Sequence, residues 1–446
     1  MKAPMPFSDY AGYLRGLAAL NGLIQGERAG SDAPRDRRER AERRLTRTRR
    51  ILDALGNPQD AYSTIHVTGT SGKGSTAFAI ASMLTAAGYR TGLRTSPYLQ
   101  VATEKLQISH RLVDGAGFAA AVDDVFAAAG RLGLTPLVYT EAWAALSYLW
   151  FAQRTVEIAV IEVGAGGRFD ATNVITPEVS VITSVGMDHV VSLGPTLADI
   201  AWHKAGIIKR NRPVVIGNLR HEALAVVEHE AQGQDAPLIR AIAPTVNLEA
   251  GMHGAFQSAN AAVALSVMAA LRAHGRIIPP AAERCGLAAA RLPGRLERMP
   301  GEGPGVWLDG AHNADKMQAL AGSLHLISDR KPVMVVGALG SKDVTAMAGT
   351  IANAASAVVA TEPHVLGKRA LPADDVAGSL RAAGFTGPMA CEPDPLHAVA
   401  KAEDMSQVHN EPVVVTGSLY LVGEVRRRWF PDEAIVSQRT PWPRLV

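Results

Sequence analysis

The segment Ile65-His66-Val67-Thr68-Gly69-Thr70-Ser71-Gly72-Lys73-Gly74-Ser75-Thr76 constrains this chain more than any other. A β-favouring run leads into a glycine-rich turn with one lysine and several hydroxyls, and the following Ala77-Phe78-Ala79-Ile80-Ala81-Ser82-Met83-Leu84 favours helix. A strand that passes through such a turn into a helix aims backbone N–H groups and the helix N-terminus at one point, where the lysine adds a full positive charge. This arrangement suits nucleotide phosphates, with Thr70, Ser71, Gly72, Lys73, Gly74 and Ser75 as candidate contacts. The common phosphate-loop pattern has about four residues between its first glycine and the Gly-Lys pair. Here only Thr70 and Ser71 intervene, and Gly74 separates the lysine from the hydroxyls.

At 446 residues the chain exceeds what one hydrophobic core serves, so two domains are expected. With 47% hydrophobic and 20% charged residues the composition is globular, and no apolar run approaches the roughly 18 residues of a membrane span. The start, Met1-Lys2-Ala3-Pro4-Met5-Pro6, lacks the apolar stretch of a signal peptide, and a cytoplasmic protein with no membrane partner is expected. Cys285 and Cys391 are isolated, which argues against a disulfide framework or a thiolate zinc site. A net charge of +3 is too small to argue for nucleic acid. Nine arginines lie between Arg35 and Arg50, but they are interleaved with Asp36, Glu39 and Glu42 at helical spacing and have no stacking aromatics among them. A solvated helix face is expected there, with no nucleic-acid partner.

Residues 1 to about 60 read as helical, with Tyr10, Tyr13, Leu14, Leu17 and Leu20 on one face and a stop at Leu55-Gly56-Asn57-Pro58. From Ile65, short β-rich runs alternate with Ala/Leu-rich segments. Strands are expected over 64–68, 91–95, 157–163, 179–184 and 213–217, with helices after the phosphate loop and over 142–153 and 196–204. The alternation predicts an α/β fold with a mainly parallel, doubly wound sheet that binds ligands at the carboxyl ends of its strands. A helical stretch over 247–296 leads to Pro300-Gly301-Glu302-Gly303-Pro304-Gly305, after which strands over 306–308, 332–336, 357–361 and 412–416 restart the alternation. The expected organisation is a phosphate-loop domain over 1–298, a linker over 299–305 and a smaller Rossmann-like α/β domain over 306–446.

Polar residues stand where the expected strands end. Thr95-Ser96-Pro97 follows the second, Glu162-Val163-Gly164-Ala165-Gly166-Gly167-Arg168-Phe169-Asp170 the third, and Ser184-Val185-Gly186-Met187-Asp188-His189 the fourth. A hydroxyl, a carboxylate and an imidazole beside a phosphate loop can hold Mg²⁺, which keeps waters and phosphate oxygens as its other ligands.

These segments, taken with His203-Lys204-Ala205-Gly206-Ile207-Ile208, Pro293-Gly294-Arg295-Leu296-Glu297, Asp309-Gly310-Ala311-His312-Asn313 and Thr416-Gly417-Ser418-Leu419-Tyr420, follow one another in a familiar order. The chain resembles the folylpolyglutamate synthase/dihydrofolate synthase family, a branch of the Mur ligase superfamily, from about residue 60 to 425. The resemblance implies ATP-dependent amide formation between a carboxylic acid and an amino acid through an acyl phosphate. It implies that Thr70 to Ser75 bind the ATP phosphates, that Ser96, Glu162 and His189 ligate magnesium, and that Lys204 is the lysine which the family carbamylates. Two Mg²⁺ ions and a monovalent cation are the implied ions. Gln257 and Asn260 resemble a nucleotide-contacting segment, and Arg295 would approach the phosphates. Asp309 and His312 would meet nucleotide and amino acid from the second domain, and Ser418 would hold the amino acid's carboxylate or cap a helix. Lys73, Lys204, Arg295 and His312 are thus the implied catalytic residues.

The acceptor side departs from the family. Val138-Tyr139-Thr140-Glu141 stands where the family shows Thr-x-Phe-Glu, Ser96-Pro97-Tyr98-Leu99 for Ser-Pro-His-Leu, and Thr103-Glu104-Lys105-Leu106 for Asn-Glu-Arg-Ile. Tyr98, Glu141, Arg168 and Asp170 are the candidate acceptor contacts. The expected enzyme is a monomeric ligase acting on ATP, L-glutamate and a folate- or pteroate-type acid. Two alternatives stay open: the same chemistry on another aromatic or heterocyclic acid, and a nucleic-acid-stimulated ATPase.

Overall fold

The computed structural model of the chain describes residues 7–26, 37–242, 251–252, 254 and 256–444. Helices α1 (Phe7–Gly26) and α2 (Arg37–Ala54) come first. Then follow β1 (Ser63–Thr68), α3 (Lys73–Ala86), β2 (Thr91–Arg94), β3 (Leu106–Ile108), β4 (Arg111–Leu112), α4 (Gly115–Arg131), α5 (Tyr139–Gln153), β5 (Ile158–Glu162) and β6 (Val179–Ile182). Next are α6 (Val190–Leu193), α7 (Leu197–Ala205), β7 (Val214–Ile216), α8 (His221–Gly233), β8 (Leu238–Arg240), α9 (Gln257–Ala273) and α10 (Pro280–Ala289). The second half opens with β9 (Glu297–Arg298), β10 (Val306–Leu308), α11 (Ala314–Ala321), β11 (Val333–Val336), α12 (Thr345–Ala354) and β12 (Ala357–Ala360). It closes with α13 (Ala373–Ala382), β13 (Met389–Cys391), α14 (Pro395–Gln407), β14 (Val413–Thr416), α15 (Leu419–Arg426) and α16 (Asp432–Gln438).

Among the described residues there are two sheets. The first has the order β4-β3-β2-β5-β1-β6-β7-β8, parallel from β2 to β8 and antiparallel at the β3–β4 edge. The second has the order β13-β12-β11-β14-β10-β9, parallel except where β9 meets β10. Helices cover both faces, which is why the strand residues are apolar with little alternation. In β5, Ile158 and Val160 join Ile65 and Val67 in the core under α3 and α9, while Ala159 and Ile161 face the core built on α4 and α5. His66 is fully buried beside Thr172, its Nε2 2.9 Å from the hydroxyl, and burial pulls its pKa down to about 3.

The expected parallel strands are present, most of them one or two residues shorter, with β10 as expected and β1 starting one residue earlier. The strands that sequence did not reveal, β3, β4, β8, β9 and β13, are two or three residues long, too short for a periodic signal. The stretch read as one helical region over 247–296 contains α9 and α10, broken where Gly275 takes a left-handed φ and Pro279 and Pro280 follow. Residues 247–250, 253 and 255 lie outside the described ones. The Gly/Pro cluster over 299–305, expected as a linker, instead joins β9 to β10 inside the second sheet. No described helix is long and apolar enough to cross a membrane.

The two halves meet around one guanidinium. Arg426, at the end of α15 and 0% exposed, ion-pairs with Glu297 at 3.0 Å, donates to Gln100 Oε1 at 3.2 Å and to Pro441 O at 2.6 Å, and lies 4.4 Å over the Phe430 ring. Trp442 Nε1 donates to Glu297 at 2.7 Å, and Gln100 Nε2 donates to Phe430 O and Asp432. The tail then returns to the edge of the first sheet, where Leu112 N–H donates to Arg439 O and Arg439 Nε to Leu112 O. At Gly423 a Cβ would stand 2.0 Å from Leu99 O, so α15 reaches the 95–101 loop only through a glycine.

Replacing Arg426 by Met leaves Glu297 without its cation in a buried setting, where breaking such a pair costs about 3–5 kcal/mol. Denaturant unfolding of Arg426→Met is expected to show a loss of that order. Arg428→Met, which removes an exposed pair with Glu403, is expected to cost under about 1 kcal/mol.

Candidate active site

The phosphate loop is built as its sequence requires. β1 ends at Thr68, Gly69 and Gly72 take φ of 157° and 80°, and α3 starts at Lys73. The position of Gly72 needs glycine twice over, because φ is left-handed and a Cβ would stand 2.2 Å from Asn260 Oδ1. Lys73 Nζ donates back to Gly69 O at 2.9 Å. The turn after β6 is stitched to the loop: Thr70 Oγ1 donates to Gly186 O at 3.0 Å, Ser71 N–H to Ser184 Oγ at 2.8 Å and Thr183 Oγ1 to Ser71 O at 2.6 Å. Gln257 and Asn260, at the start of α9, are hydrogen-bonded to each other at 2.8 Å, and Gln257 Nε2 reaches Ser75 Oγ at 3.5 Å. They therefore brace the loop from behind. The buried hydroxyls of Ser71 and Thr76 have no partner among the described residues, as expected of a surface that awaits a ligand.

Glu162 ends β5 beside this loop, with Oε2 3.7 Å from where a Gly74 Cβ would lie. Ser96 N–H donates to it at 2.9 Å, and burial raises its pKa despite the nearby Lys73. A buried carboxylate held this way favours a cation beside it. Among the described residues no three His, Cys, Asp or Glu side chains gather as a metal cage. One carboxylate, one hydroxyl and one imidazole next to a phosphate loop fit Mg²⁺ that draws its other ligands from phosphate and water. The imidazole, that of His189, stands half-exposed on a residue with a left-handed φ of 54°; the backbone N–H of His189 donates to Asp188 Oδ1 at 2.9 Å and its ring Nε2 lies 4.0 Å from Oδ2. Lys204, in the last turn of α7, is buried and its ammonium makes no hydrogen bond or ion pair among the described residues. Burial, then repulsion from Lys73, holds its pKa well below that of an ordinary lysine.

The second sheet closes the cleft. Asp309, at the end of β10, accepts from the N–H groups of Leu296 and Ala311 at 2.9 Å each, and burial raises its pKa. Arg295 Nη1 donates to Gly294 O, and its charge acts on both Asp309 and Glu162. His312 Nδ1 donates to Gly310 O at 2.8 Å, leaving Nε2 to accept from Lys316 at 2.9 Å. Lys342, in the loop after β11, pairs with Asp188 of the first domain at 3.1 Å, and Asn313 reaches the same carboxylate at 3.5 Å. A narrow cleft lies between the halves, lined by Gly74, Ser96, Tyr98, Glu162, Arg295 and Leu419.

Several expected substrate contacts are occupied elsewhere. Glu141 is buried at the start of α5, where Arg47 holds both its oxygens at 3.0 and 3.1 Å and Val138 N–H is capped by it. The arginine-rich helix is thus not wholly a solvated face. Arg168 pairs with Glu230 at 2.5 Å and lies 4.2 Å over the Trp202 ring. Asp170 turns the glycine loop by accepting from Gly164, Ala165 and Thr172 N–H. Ser418 caps α15, its hydroxyl accepting from Tyr420 N–H at 3.2 Å. Lys316 and Lys342 went unnoticed in the sequence. Lys316 stands four residues after His312 on one helix, a spacing that brings side chains together, and Lys342 follows a strand's carboxyl end.

Comparison with known proteins joins these features in one lineage. The Mur ligase middle domain matches residues 67–243, and the Mur ligase glutamate ligase domain matches residues 294–419. The folylpolyglutamate synthase of Lacticaseibacillus casei is 37% identical over 405 residues, covering 84% of this chain and 92% of its own. The chain belongs to the folylpolyglutamate synthase/dihydrofolate synthase family. It is therefore an ATP-dependent ligase that forms a carbon–nitrogen bond. The dihydrofolate synthase/folylpolyglutamate synthase of Bacillus subtilis (strain 168) is 33% identical over 416 residues, covering 86% of this chain and 94% of its own. Among solved structures, Mycobacterium tuberculosis folylpolyglutamate synthase complexed with ADP matches with a TM-score of 0.83 at 30% identity, over 94% of this chain and 99% of that one. The shared architecture is the Mur ligase fold.

Because Gly72 has no room for a Cβ, Gly72→Ala in this ligase is expected to weaken ADP binding at least about tenfold through backbone strain and displacement of Asn260. Isothermal titration calorimetry reads the change directly, with Gly349→Ala, at an open helical position of α12, as the control that leaves the loop intact.

Proposed function

We propose that this ligase joins a folate- or pteroate-type carboxylic acid to L-glutamate through an acyl phosphate. One observation carries the reading: Gly74 of the phosphate loop and Glu162 line one cleft with Arg295 and Leu419 of the glutamate ligase domain, and the charge of Arg295 acts on both Glu162 and Asp309. A carboxylate oxygen attacking the γ-phosphorus brings anions together, so cations must offset their repulsion and the charge of the transferring phosphoryl group. Lys73 and Arg295 do so from opposite sides of the cleft, while the N–H groups of Gly72 to Ser75, left free among the described residues where those of Thr70 and Ser71 bond to Ser184, hold the phosphates. Ser96, Glu162 and His189 would hold magnesium, whose charge, when bound, draws phosphate oxygens into place. ADP then leaves, the glutamate amine attacks the acyl carbon, and phosphate departs. His312, kept neutral by burial and by Lys316, offers a hydrogen-bond acceptor to that amine. Ser418 and the N-terminus of α15 favour the amino acid's carboxylate, and Tyr98 walls the acid's side.

The depressed pKa of Lys204 favours the neutral amine, the form that takes up carbon dioxide. Carbamylation would replace a repelled ammonium with an anion suited to a second magnesium, and a monovalent cation completes the proposed ions. The enzyme would act as a cytoplasmic monomer without nucleic acid. A second reading keeps the chemistry and changes the acid to another aromatic or heterocyclic one. It is favoured by Lys105, buried 4.2 Å over the Trp143 ring and 5.4 Å over the Tyr139 ring near the acceptor loop.

Purified protein given Mg-ATP, L-glutamate and a panel of acids is expected to release phosphate and to form the glutamyl amide of a folate-type acid, seen by mass spectrometry. Amide from non-folate acids alone would select the second reading, and no product from any acid would overturn both. Lys204→Arg, which cannot be carbamylated, is expected to lower kcat by about a hundredfold or more while ADP binding persists.

A further inference from the structure

Among the described residues, five cationic side chains act on one another around the mouth of the phosphate loop: Lys73, Lys204, Arg295, Lys316 and Lys342. Carboxylates serve them unequally. Lys342 has Asp188 at 3.1 Å, and Arg295 has Asp309 and Glu162 in its field. Lys73 donates to a carbonyl and acts on Glu162. Lys316 has no carboxylate within ion-pair distance, and its ammonium's one hydrogen-bond partner among the described residues is the neutral Nε2 of His312.

The position is unfavourable for a lysine in two respects. It lies in the first turn of α11, where the helix dipole already presents positive charge and where acids are preferred. The strongest charge acting on it is the ammonium of Lys73 from the other domain, and burial with that repulsion lowers its pKa to about 7. The same turn of α11 packs on the turn after β6 that is stitched to the phosphate loop. A Cβ on Gly186 would lie 2.8 Å from Asp315 Oδ2, and Gly186 is the residue to which Thr70 is bonded through both N–H and C=O. Two ammonium groups that face each other across a cleft, one from each domain, are stable together when an anion lies between them.

We propose that Lys316 is a second contact, beside Arg295, from the glutamate ligase domain to the transferred phosphoryl group. With a nucleoside triphosphate in place, its ammonium pairs with oxygens of the terminal phosphate opposite Lys73 and releases His312 Nε2, which then accepts from the incoming amine. Triphosphate binding and preparation of the amine site are in this way one event, made by two residues a single helical turn apart. The inference rests on the ligase reading for the order of events, but not on the identity of the acid.

The test is calorimetric titration of the wild type, Lys316→Met and Lys316→Arg with Mg-ADP and with the magnesium complex of a non-hydrolysable methylene-bridged ATP analogue. Lys316→Met is expected to bind the analogue at least about tenfold more weakly and ADP within about twofold of wild type, while Lys316→Arg recovers most of the difference. In turnover, kcat of Lys316→Met is expected to fall with KM for glutamate held within about threefold. Equal weakening of ADP and analogue, or no weakening of either, would overturn the proposal. So would a raised KM for glutamate with analogue binding intact, which would make Lys316 a carboxylate contact. Melting temperatures of the three proteins show that folded material is compared. Titrations contain no acid, so a wild type that binds both nucleotides yet forms no amide removes the ligase reading and leaves Lys316 judged by the same data.

Discussion

The placement of the two domains depends on the buried guanidinium of Arg426, which pairs with Glu297 in its own half and reaches the first domain through Gln100. A guanidinium fully withdrawn from water is tolerated only when its donors are satisfied, and here Glu297, Gln100 and Pro441 O satisfy them from three separate parts of the chain. Gln100 belongs to the loop that carries Ser96 and Tyr98, and Glu297 lies two residues after Arg295. The joint between domains, the acceptor wall and the phosphate-facing arginine are therefore parts of one hydrogen-bonded body. A change in any of them is felt at the other two.

Electrostatically the cleft is incomplete without its reactants. Burial raises the pKa values of Glu162 and Asp309 and lowers those of Lys204, Lys316 and His312. Both trends have one origin: a poorly solvated space disfavours charge of either sign until its opposite arrives. A triphosphate supplies the anionic charge that the lysines lack, and in the proposed reaction a divalent cation would supply the counter-charge of Glu162. In such a site polar groups are already oriented when the reacting charges develop, so little reorganisation is left for the chemical step. Exclusion of water also protects an activated acid from hydrolysis before an amine reaches it.

How much was legible in the sequence follows from the range of each interaction. The phosphate loop could be read because its requirements are local: glycine at a left-handed φ, a strand before it and a helix after it. Ser96 and Glu162 could be placed because strand ends are predictable and the first sheet brings the ends of β2 and β5 to one edge, and Asp309 because it follows β10 of the second sheet. Glu141 was misjudged because its partner, Arg47, lies 94 residues away on a helix whose charges look alike. Arg168 and Asp170 likewise stand in a loop that suggests a ligand, and only their contacts with Glu230 and with the loop's own N–H groups show a scaffold role. The antiparallel β9–β10 hairpin was read as a linker because Pro and Gly mark a tight turn and a domain boundary equally well.

The two sides of the cleft are built from different materials. At the phosphate loop, Gly69 and Gly72 serve by lacking a side chain, and at Gly72 every other residue brings a Cβ into conflict with Asn260. On the proposed acceptor side, Tyr98 lines the cleft with a side chain, not with a bare backbone. Descendants of such a scaffold would diverge unevenly, the energy-coupling half nearly frozen and the recognition half open to revision one side chain at a time. A lineage could acquire a new acid substrate without relearning how to activate it.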